Sequence, residues 1–280
     1  RRQRQMCIRD RFPSAMALAE TFDTEHNHDR RLDLLGWYKA LEDWQIDVDV
    51  VDGSIFKDQT ADQYEVLVLA ANDCYALDPD SELEQGIAAW VKNGGMLLHG
   101  PMDLLAQASV GSRCLSHEKD AFECSGEKGM LTGTQFGSFE EENADVFAVW
   151  KTDEKPAIVK RTFGKGTVCE IGFFYGFEYT GRIAPHVPLT QRNNELYPLT
   201  MLKKDPVGML LEEKFGTTLT RKKGVERAEF ENGTVIVNHS SYPFRIDEPG
   251  TRYFQNPELY QDLDSKILLP HMGVFIERKV

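Results

Sequence analysis

Residues 32–101 decide the fold, and they read LDLLGWYKALEDWQIDVDVVDG (32–53), YEVLVLAAND (64–73) and SELEQGIAAWVKNGGMLLHGP (81–101). Apolar side chains recur at helical spacing in the first of these parts, which predicts an amphipathic helix over residues 29–45. The predicted buried stripe of this helix comprises Leu32, Leu35, Tyr38, Leu41 and Trp44.

Three short runs in the same region have the character of β-strands. Residues 46–51 alternate apolar with acidic side chains, whereas residues 66–70 and 96–99 are unbroken apolar runs, as in strands covered on both faces. A further strand is expected at residues 15–19. A second helix with the buried stripe Leu83, Ile87, Ala88 and Val91 precedes the last of these strands. This alternation predicts an α/β fold with a doubly wound parallel sheet.

Composition limits the class of partner. The chain has 280 residues, 41% of them hydrophobic, and a formal net charge of −13, which argues against nucleic-acid and anionic-membrane partners. No apolar run approaches the roughly 20 residues that a membrane-spanning helix needs. The five cysteines are spaced unlike a disulfide framework, so we expect a cytoplasmic protein.

Changes in composition divide the chain into segments. Residues 1–11 (RRQRQMCIRDR) are basic in an acidic chain and lack periodicity, so we interpret them as a non-native leader, with a disordered basic arm as the alternative. Residues 12–216 form the predicted α/β domain. Residues 217–280 are rich in short alternating runs and predict a small C-terminal β-domain, with a hairpin turn at Asn232-Gly233.

Residues 111–142 are rich in Gly, Ser, Lys and Glu without a sustained period, and they predict an insertion or a long loop. Cys114, His117 and Cys124 fall within it. A structural zinc site normally needs four ligands at tighter paired spacing, so we expect no metal here. Phe136 and Phe139 are expected to anchor the loop to the domain.

Two stretches, one containing two glycines and one rich in aromatic residues, could each indicate a binding function. Phe163-Gly164-Lys165-Gly166 lacks the third glycine and the strand-to-helix context of a phosphate loop, so a hairpin is the better interpretation. FFYGFEYTG (173–181) could stack on a sugar or pack in a core or an interface, and we favour packing.

Four stretches resemble the trimerisation domain of glycoside hydrolase family 42 β-galactosidases. They are GWYKALEDWQIDVDVV (36–51), YEVLVLAA (64–71), AAWVKNGGMLLHGP (88–101) and PAIVKRTFGKGTVCEIG (156–172). The resemblance implies a flavodoxin-like, class I glutamine amidotransferase-like sheet followed by a small β-domain. It also implies a trimer and a parent enzyme that hydrolyses terminal β-D-galactosides with two glutamates of a preceding TIM barrel.

The catalytic machinery of either relative is not visible in the chain. An amidotransferase needs a cysteine on the elbow after the strand 96–99, where this chain has His99-Gly100-Pro101-Met102, and Cys74 lies one strand too early. No eightfold strand–helix repeat provides a barrel. We therefore predict no catalytic residues, no cofactor and no bound metal.

The strand ends offer the best candidates for binding. Loops that follow parallel strands meet at the carboxyl edge of a doubly wound sheet, where ligands usually bind. Asn72 and Asp103 lie just after two of the predicted strands, and His99 is the last residue of the second. The sequence thus predicts a non-catalytic C-terminal fragment of a β-galactosidase-like enzyme. This fragment would mediate oligomerisation and form one wall of the active site. The alternative is a stand-alone amidotransferase-like module that binds a sugar or another small molecule.

Overall fold

The computed structural model of the chain describes most of its residues. The described residues are 5–9, 27–51, 53–70, 81–101, 114–133, 135–180, 199, 202, 205–222, 224–260 and 263–278, with backbone alone at 5–9, 27–31, 81 and 180.

The described residues form helices and strands throughout. The helices are α1 (Asn27–Asp43), α2 (Ser54–Lys57), α3 (Ser81–Lys92), α4 (Tyr175–Thr180) and α5 (Pro206–Phe215), with 3-10 turns at Ala61–Gln63 and Pro257–Tyr260. The first eleven strands are β1 (Gln5–Arg9), β2 (Asp47–Val51), β3 (Val66–Leu69), β4 (Met96–His99), β5 (Leu115–Ser116), β6 (Phe122–Cys124), β7 (Glu127–Gly129), β8 (Gly137–Ser138), β9 (Asp145–Trp150), β10 (Pro156–Phe163) and β11 (Gly166–Ile171). The later strands are β12 (Val225–Phe230), β13 (Gly233–Asn238), β14 (Phe244–Arg245), β15 (Thr251–Phe254), β16 (Ile267–Leu268) and β17 (Met272–Glu277).

The main sheet has nine strands in the order β2-β1-β3-β4-β11-β10-β9-β6-β7. Neighbours from β2 to β11 pair in parallel, and neighbours from β11 to β7 pair antiparallel. The prediction that the runs at 47–51, 66–69 and 96–99 share one parallel sheet is confirmed. The protein is therefore a mixed α/β protein with separate antiparallel sheets.

The first strand differs from its predicted position. The strand between β2 and β3 is Gln5–Arg9, which lies in the segment that the sequence set apart as a leader. The predicted strand at 15–19 lies outside the described residues.

The sheet is buried on both faces because its central strands alternate their side chains between two helix layers. Val66, Val68 and Leu98 pack on one face with α1 and α5. Leu67 and Leu97 pack on the other face with α3. An unbroken apolar run is what a strand covered on both sides requires, as predicted.

Helix α1 buries a different stripe from the predicted one. Leu32, Leu41 and Trp44 are buried as expected, but Leu35 is 56% exposed and Tyr38 is 43% exposed. Trp37 and Ala40 are buried instead. The helix is rotated because α4 lies close against it, with the Trp37 ring 4.5 Å from that of Tyr175. In α3 the predicted Leu83, Ile87 and Val91 are buried, and Ala88 is half-buried.

The segment 111–142 extends the sheet, so the interpretation as a long loop is wrong for its middle part. Phe122 pairs with Trp150 of β9, and β7 follows as the edge strand. Phe136 and Phe139 are buried, as predicted for anchors. The pattern missed β6 and β7 because each has only three residues, too few to reveal a period of two.

The predicted hairpin at Phe163–Gly166 is confirmed. Strands β10 and β11 pair antiparallel up to Phe163 and Gly166. Gly164 has a φ of +63°, a left-handed conformation that glycine adopts without a steric penalty.

The C-terminal residues form a four-stranded antiparallel sheet in the order β12-β13-β17-β15 and a small β14–β16 pair. Their core contains Val225, Ile236, Ile246, Val274 and Ile276, among others. The predicted turn is shifted by one residue, because Gly233 already pairs with Phe230 and the loop is Glu231-Asn232. None of the described helices is both long enough and apolar enough for a membrane crossing.

Candidate functional site

The carboxyl edge of the parallel strands is the site that the sequence singled out. His99 is the last residue of β4 and lies beside Leu69, the last residue of β3. The ends of these two strands therefore share one edge of the sheet. The other two predicted binding residues, Asn72 and Asp103, lie outside the described residues, as do most of the loops that follow β1, β3 and β4.

His99 is completely buried. Its Nδ1 lies 3.0 Å from the carbonyl oxygen of Gly100, and because a carbonyl only accepts, Nδ1 carries the proton of the neutral ring. Its Nε2 lies 3.9 Å from Glu170 Oε1 and has no hydrogen-bond partner among the described residues. Burial lowers the pKa of His99 and outweighs the attraction of Glu170.

Glu170 completes this buried cluster from the adjacent strand β11, where it pairs with His99 in register. Its carboxylate is buried, and Oε2 accepts a 2.7 Å hydrogen bond from Nε of Arg161. Arg161 also donates to the carbonyl oxygens of Glu140 and Glu142. Glu170 is thus paired with Arg161 inside the protein, whereas the side chains of Glu140 and Glu142 are exposed to solvent.

Among the described residues this cluster links the ends of β4 and β11, and the predicted binding role of His99 stays a prediction. Neither His99 nor Glu170 has surface that a ligand could touch among the described residues. A neutral imidazole with an acceptor nitrogen also cannot donate a proton to a substrate from Nε2. The sequence could identify His99 from its position, but nothing in the sequence indicated Glu170 or Arg161.

Cys169 has the environment of a structural cysteine and not of a nucleophile. Cys169 is completely buried in β11, and burial raises the pKa of its thiol far above the usual range. Cys124 is buried and Cys114 is half-buried. Cys74 lies outside the described residues, so its predicted inertness stays a prediction. After β4 the described residues are Gly100 and Pro101, without a cysteine, as the sequence states.

Cys114, His117 and Cys124 do not converge on a common point. Within the described part of the chain no group of three or more potential ligands is arranged to hold a metal ion. The His117 ring stacks on Trp150 at 4.6 Å, and its Nδ1 lies 3.8 Å from Asp153. His117 therefore has a packing role in the segment that extends the sheet.

The aromatic stretch at 173–179 belongs to the core, which confirms the preference for packing over sugar stacking. Phe173, Tyr175 and Tyr179 are at most 1% exposed. The hydroxyl of Tyr175 donates to Asp205 at 2.9 Å, and that of Tyr179 donates to Asp43 at 2.7 Å. Burial raises the pKa of both phenols, so both remain hydrogen-bond donors at neutral pH.

The tryptophans are also buried. Trp37, Trp44, Trp90 and Trp150 are each at most 6% exposed. The two helix layers and the sheet extension therefore accommodate all four tryptophans in the core.

A groove between α1 and the C-terminal sheet holds a pair of carboxyl groups. The groove has a volume of about 330 Å³ and includes Glu42 of α1 and Glu226 of β12. These two side chains lie close enough to form a hydrogen bond when one of them is protonated. Burial and the bond to Glu226 raise the pKa of Glu42 to about 7. Burial acts to raise the pKa of Glu226, but its bonds to Glu42 and His239 outweigh burial and lower it.

A carboxyl pair with one raised pKa resembles the acid of a glycosidase in chemistry, but its geometry is unsuitable. The two carboxyls of a glycosidase stand about 5 Å or more apart, because the sugar or a water molecule reacts between them. Glu42 and Glu226 lie within hydrogen-bonding reach of each other, which is closer than that separation. Sequence reasoning missed this pair, since its members come from the two predicted domains.

Neither a protein-family model nor a curated protein matches this chain. Several solved structures match it. Gan42B, a GH42 β-galactosidase from G. stearothermophilus, matches with a TM-score of 0.65 and 14% identity over 99% of this chain and 40% of its own. The β-galactosidase from Bacillus circulans sp. alkalophilus has a TM-score of 0.65 and 13% identity over 100% of this chain and 42% of its own. The enzyme from the psychrophilic Marinomonas ef1 has a TM-score of 0.64 and 16% identity over 98% of this chain and 37% of its own.

These likenesses show a shared fold. The fold of nearly the whole chain is found in β-galactosidases, and the chain spans about 40% of the length of these solved structures.

Proposed function

We propose that this chain is the non-catalytic C-terminal part of a β-galactosidase-like glycoside hydrolase of family 42. The observation that carries the proposal is the unequal coverage: the match includes 98–100% of this chain but only 37–42% of each enzyme. The greater part of such an enzyme, in which we place the catalytic barrel, would then precede the present residues.

The strand order supports an amidotransferase-like domain within that enzyme. The parallel strands β2-β1-β3-β4-β11 follow one another as the second, first, third, fourth and fifth parallel strands along the chain. This is the order of flavodoxin-like sheets. Gly100 and Pro101, which follow β4 where the elbow would begin, offer no nucleophile, and the two glutamates of the groove, Glu42 and Glu226, lie within hydrogen-bonding reach of each other. Both facts favour a supporting role over catalysis.

In this proposal the domain mediates self-association, as a trimer of the parent enzyme, and forms one wall of its active site. Its surface offers apolar side chains for such contacts. Leu35 of α1 and Val50 of β2 are each 56% exposed, and Phe230 and Tyr253 of the C-terminal sheet are more than half exposed. Isolated exposed apolar residues are common, so the association itself has to be measured.

The experiment compares the 280-residue chain with the polypeptide that is produced when the coding sequence upstream of it is included. We expect the chain alone to show no turnover of a chromogenic β-galactoside, because a positioned acid and nucleophile supply most of the rate enhancement. The longer polypeptide should hydrolyse it and lose activity on substitution of a glutamate upstream of the chain. Sedimentation velocity should show that both self-associate.

Two outcomes would contradict the proposal. Turnover by the chain alone, abolished by one Asp or Glu substitution within it, would make the chain an enzyme in its own right. A reading frame without a barrel, together with saturable binding of galactose or another small sugar to the chain, would favour the stand-alone binding module.

A further inference from the structure

The groove between the two domains contains a titratable contact that no proposed activity uses. It is bounded on one side by the end of α1 and the start of β2, and on the other side by β12 and β13 of the C-terminal sheet. Gln45 follows α1, and its side-chain amide donates to the carbonyl oxygen of Val225 at 2.6 Å. Beside this bond, Glu42 and Glu226 face each other across the groove.

The charged groups around the pair come from every element that packs against it. On α1, Lys39 Nζ lies 3.4 Å from Glu42 and 2.6 Å from Asp43. After β13, His239 Nε2 lies 3.1 Å from Glu226. The groove is also lined by three further titratable or charged side chains, namely Tyr38, Asp47 and Arg227.

We propose that Glu42 and Glu226 form a pH-dependent latch between the α/β domain and the C-terminal sheet, closed while the two carboxyls share one proton and loosened when both are ionised. A shared proton makes a strong hydrogen bond between two oxygens, whereas two carboxylates at the same distance repel each other. The proposed latch does not depend on which of the proposed functions the chain has.

The direction of the effect follows from the proton on Glu42. Its pKa is raised from 4.5 to about 7 in the closed state. The contribution of the latch is therefore complete below the ordinary pKa of a glutamate and is lost as pH rises towards 7. Lys39 opposes this effect, since it favours ionised Glu42.

The opening is local because other contacts keep the two domains together. The amide of Lys222 donates to the carbonyl oxygen of Asp43 at 2.6 Å. Arg221 is paired with Asp205 and lies over the ring of Trp44 at 5.2 Å. These contacts lie at the segment that enters the C-terminal sheet, so we expect the sheet to swing from that segment and to expose the groove.

A cysteine placed in the groove reports this opening. Val237 is half-buried, lines the groove and pairs in register with Glu226. In the full chain carrying Val237→Cys, the labelling rate of the introduced thiol is followed by mass spectrometry of its peptide. Division by the rate of the same peptide in the unfolded chain removes the pH dependence of the thiol itself.

We expect the relative labelling rate to rise with pH up to about 7 and then to level off. Because one proton is released on opening, the increase is at most about tenfold per pH unit. With Glu42→Gln added, the neutral amide replaces the shared proton, and the rate should stay low and independent of pH. The matched control Glu82→Gln changes an exposed glutamate of α3, away from the groove, and should behave like the parent.

Three results would overturn the proposal. The first is a flat profile in the parent, and the second is an unchanged rise in the Glu42→Gln background. The third is a rise that disappears with His239→Gln but persists with Glu42→Gln, which would assign the titration to the imidazole. Circular dichroism checks each variant, and Glu226→Gln, which should give the same flat profile, replaces Glu42→Gln if that variant does not fold.

Discussion

Gly36 of α1 and Gly176 of α4 lie directly against each other, so that a Cβ atom on Gly36 would overlap the carbonyl oxygen of Gly176. A Cβ atom on Gly176 would in turn overlap the carbonyl oxygen of Asp33. Both overlaps involve backbone, which cannot move without displacing a whole helix. This close approach lets Trp37 contact Tyr175 and determines which face of α1 is buried.

We therefore predict that Gly36→Ala destabilises the protein by about 3 kcal/mol or more, at the upper end of overpacking effects, although alanine favours helices. Urea unfolding followed by circular dichroism measures this change. Leu35→Ala is the matched control, because Leu35 is the exposed neighbour on the same helix, and its effect should stay within about 0.5 kcal/mol. A Gly36→Ala variant as stable as the parent would show that the two helices do not touch in this way.

Asp205 connects three elements through one buried carboxylate. It caps α5 by accepting from the amides of Val207 and Gly208 at 2.9 and 3.0 Å. It also accepts from the hydroxyl of Tyr175 and pairs with Arg221. Asp205→Ala should cost about 3–5 kcal/mol, because it leaves the Arg221 charge unpaired and removes the cap.

Asp205→Asn separates the two roles, since the amide oxygen can still cap the helix while the charge is lost. It should cost less than Asp205→Ala in the same unfolding experiment. Asp247→Ala is the control for a solvent-exposed pair: its partner Arg245 is 62% exposed, and the loss should be within about 1 kcal/mol. Equal costs for Asp205→Ala and Asp247→Ala would contradict the buried network.

His99 makes the stability of the protein sensitive to acid. Burial lowers the pKa of its imidazole in the folded state. Below the ordinary histidine pKa of about 6.5, His99 binds a proton in the unfolded chain but stays neutral in the folded protein. The free energy of unfolding therefore decreases as pH falls below that value. The urea midpoint should fall less steeply between about pH 7 and pH 5 in His99→Gln than in the parent. A His99 ring whose NMR resonances titrate at the ordinary pKa would be incompatible with this explanation.

Local patterns in the sequence determined much of the backbone. The apolar runs at 66–69 and 96–99 predicted buried parallel strands, and both lie at the centre of the sheet. Helix α5 begins at Pro206 and is capped at its end by Gly216, which has a left-handed conformation. Gly164 lies in the predicted hairpin. These features depend on interactions within a few residues, such as steric limits on φ and the alternation of side chains along a strand, so the sequence alone carries them.

The tertiary structure decided which side chains meet. The helical period of α1 allows either Leu35 and Tyr38 or Trp37 and Ala40 to face inwards, and the contact with Gly176 selects the second pair. His99 meets Glu170 only because β4 pairs with β11, and Glu42 meets Glu226 only because the C-terminal sheet lies against α1. Such partners are far apart along the chain, and their titration depends on burial, which no local pattern encodes. The sequence therefore determined the strands and helix ends, and the packing between distant elements produced the buried histidine cluster and the interdomain carboxyl pair.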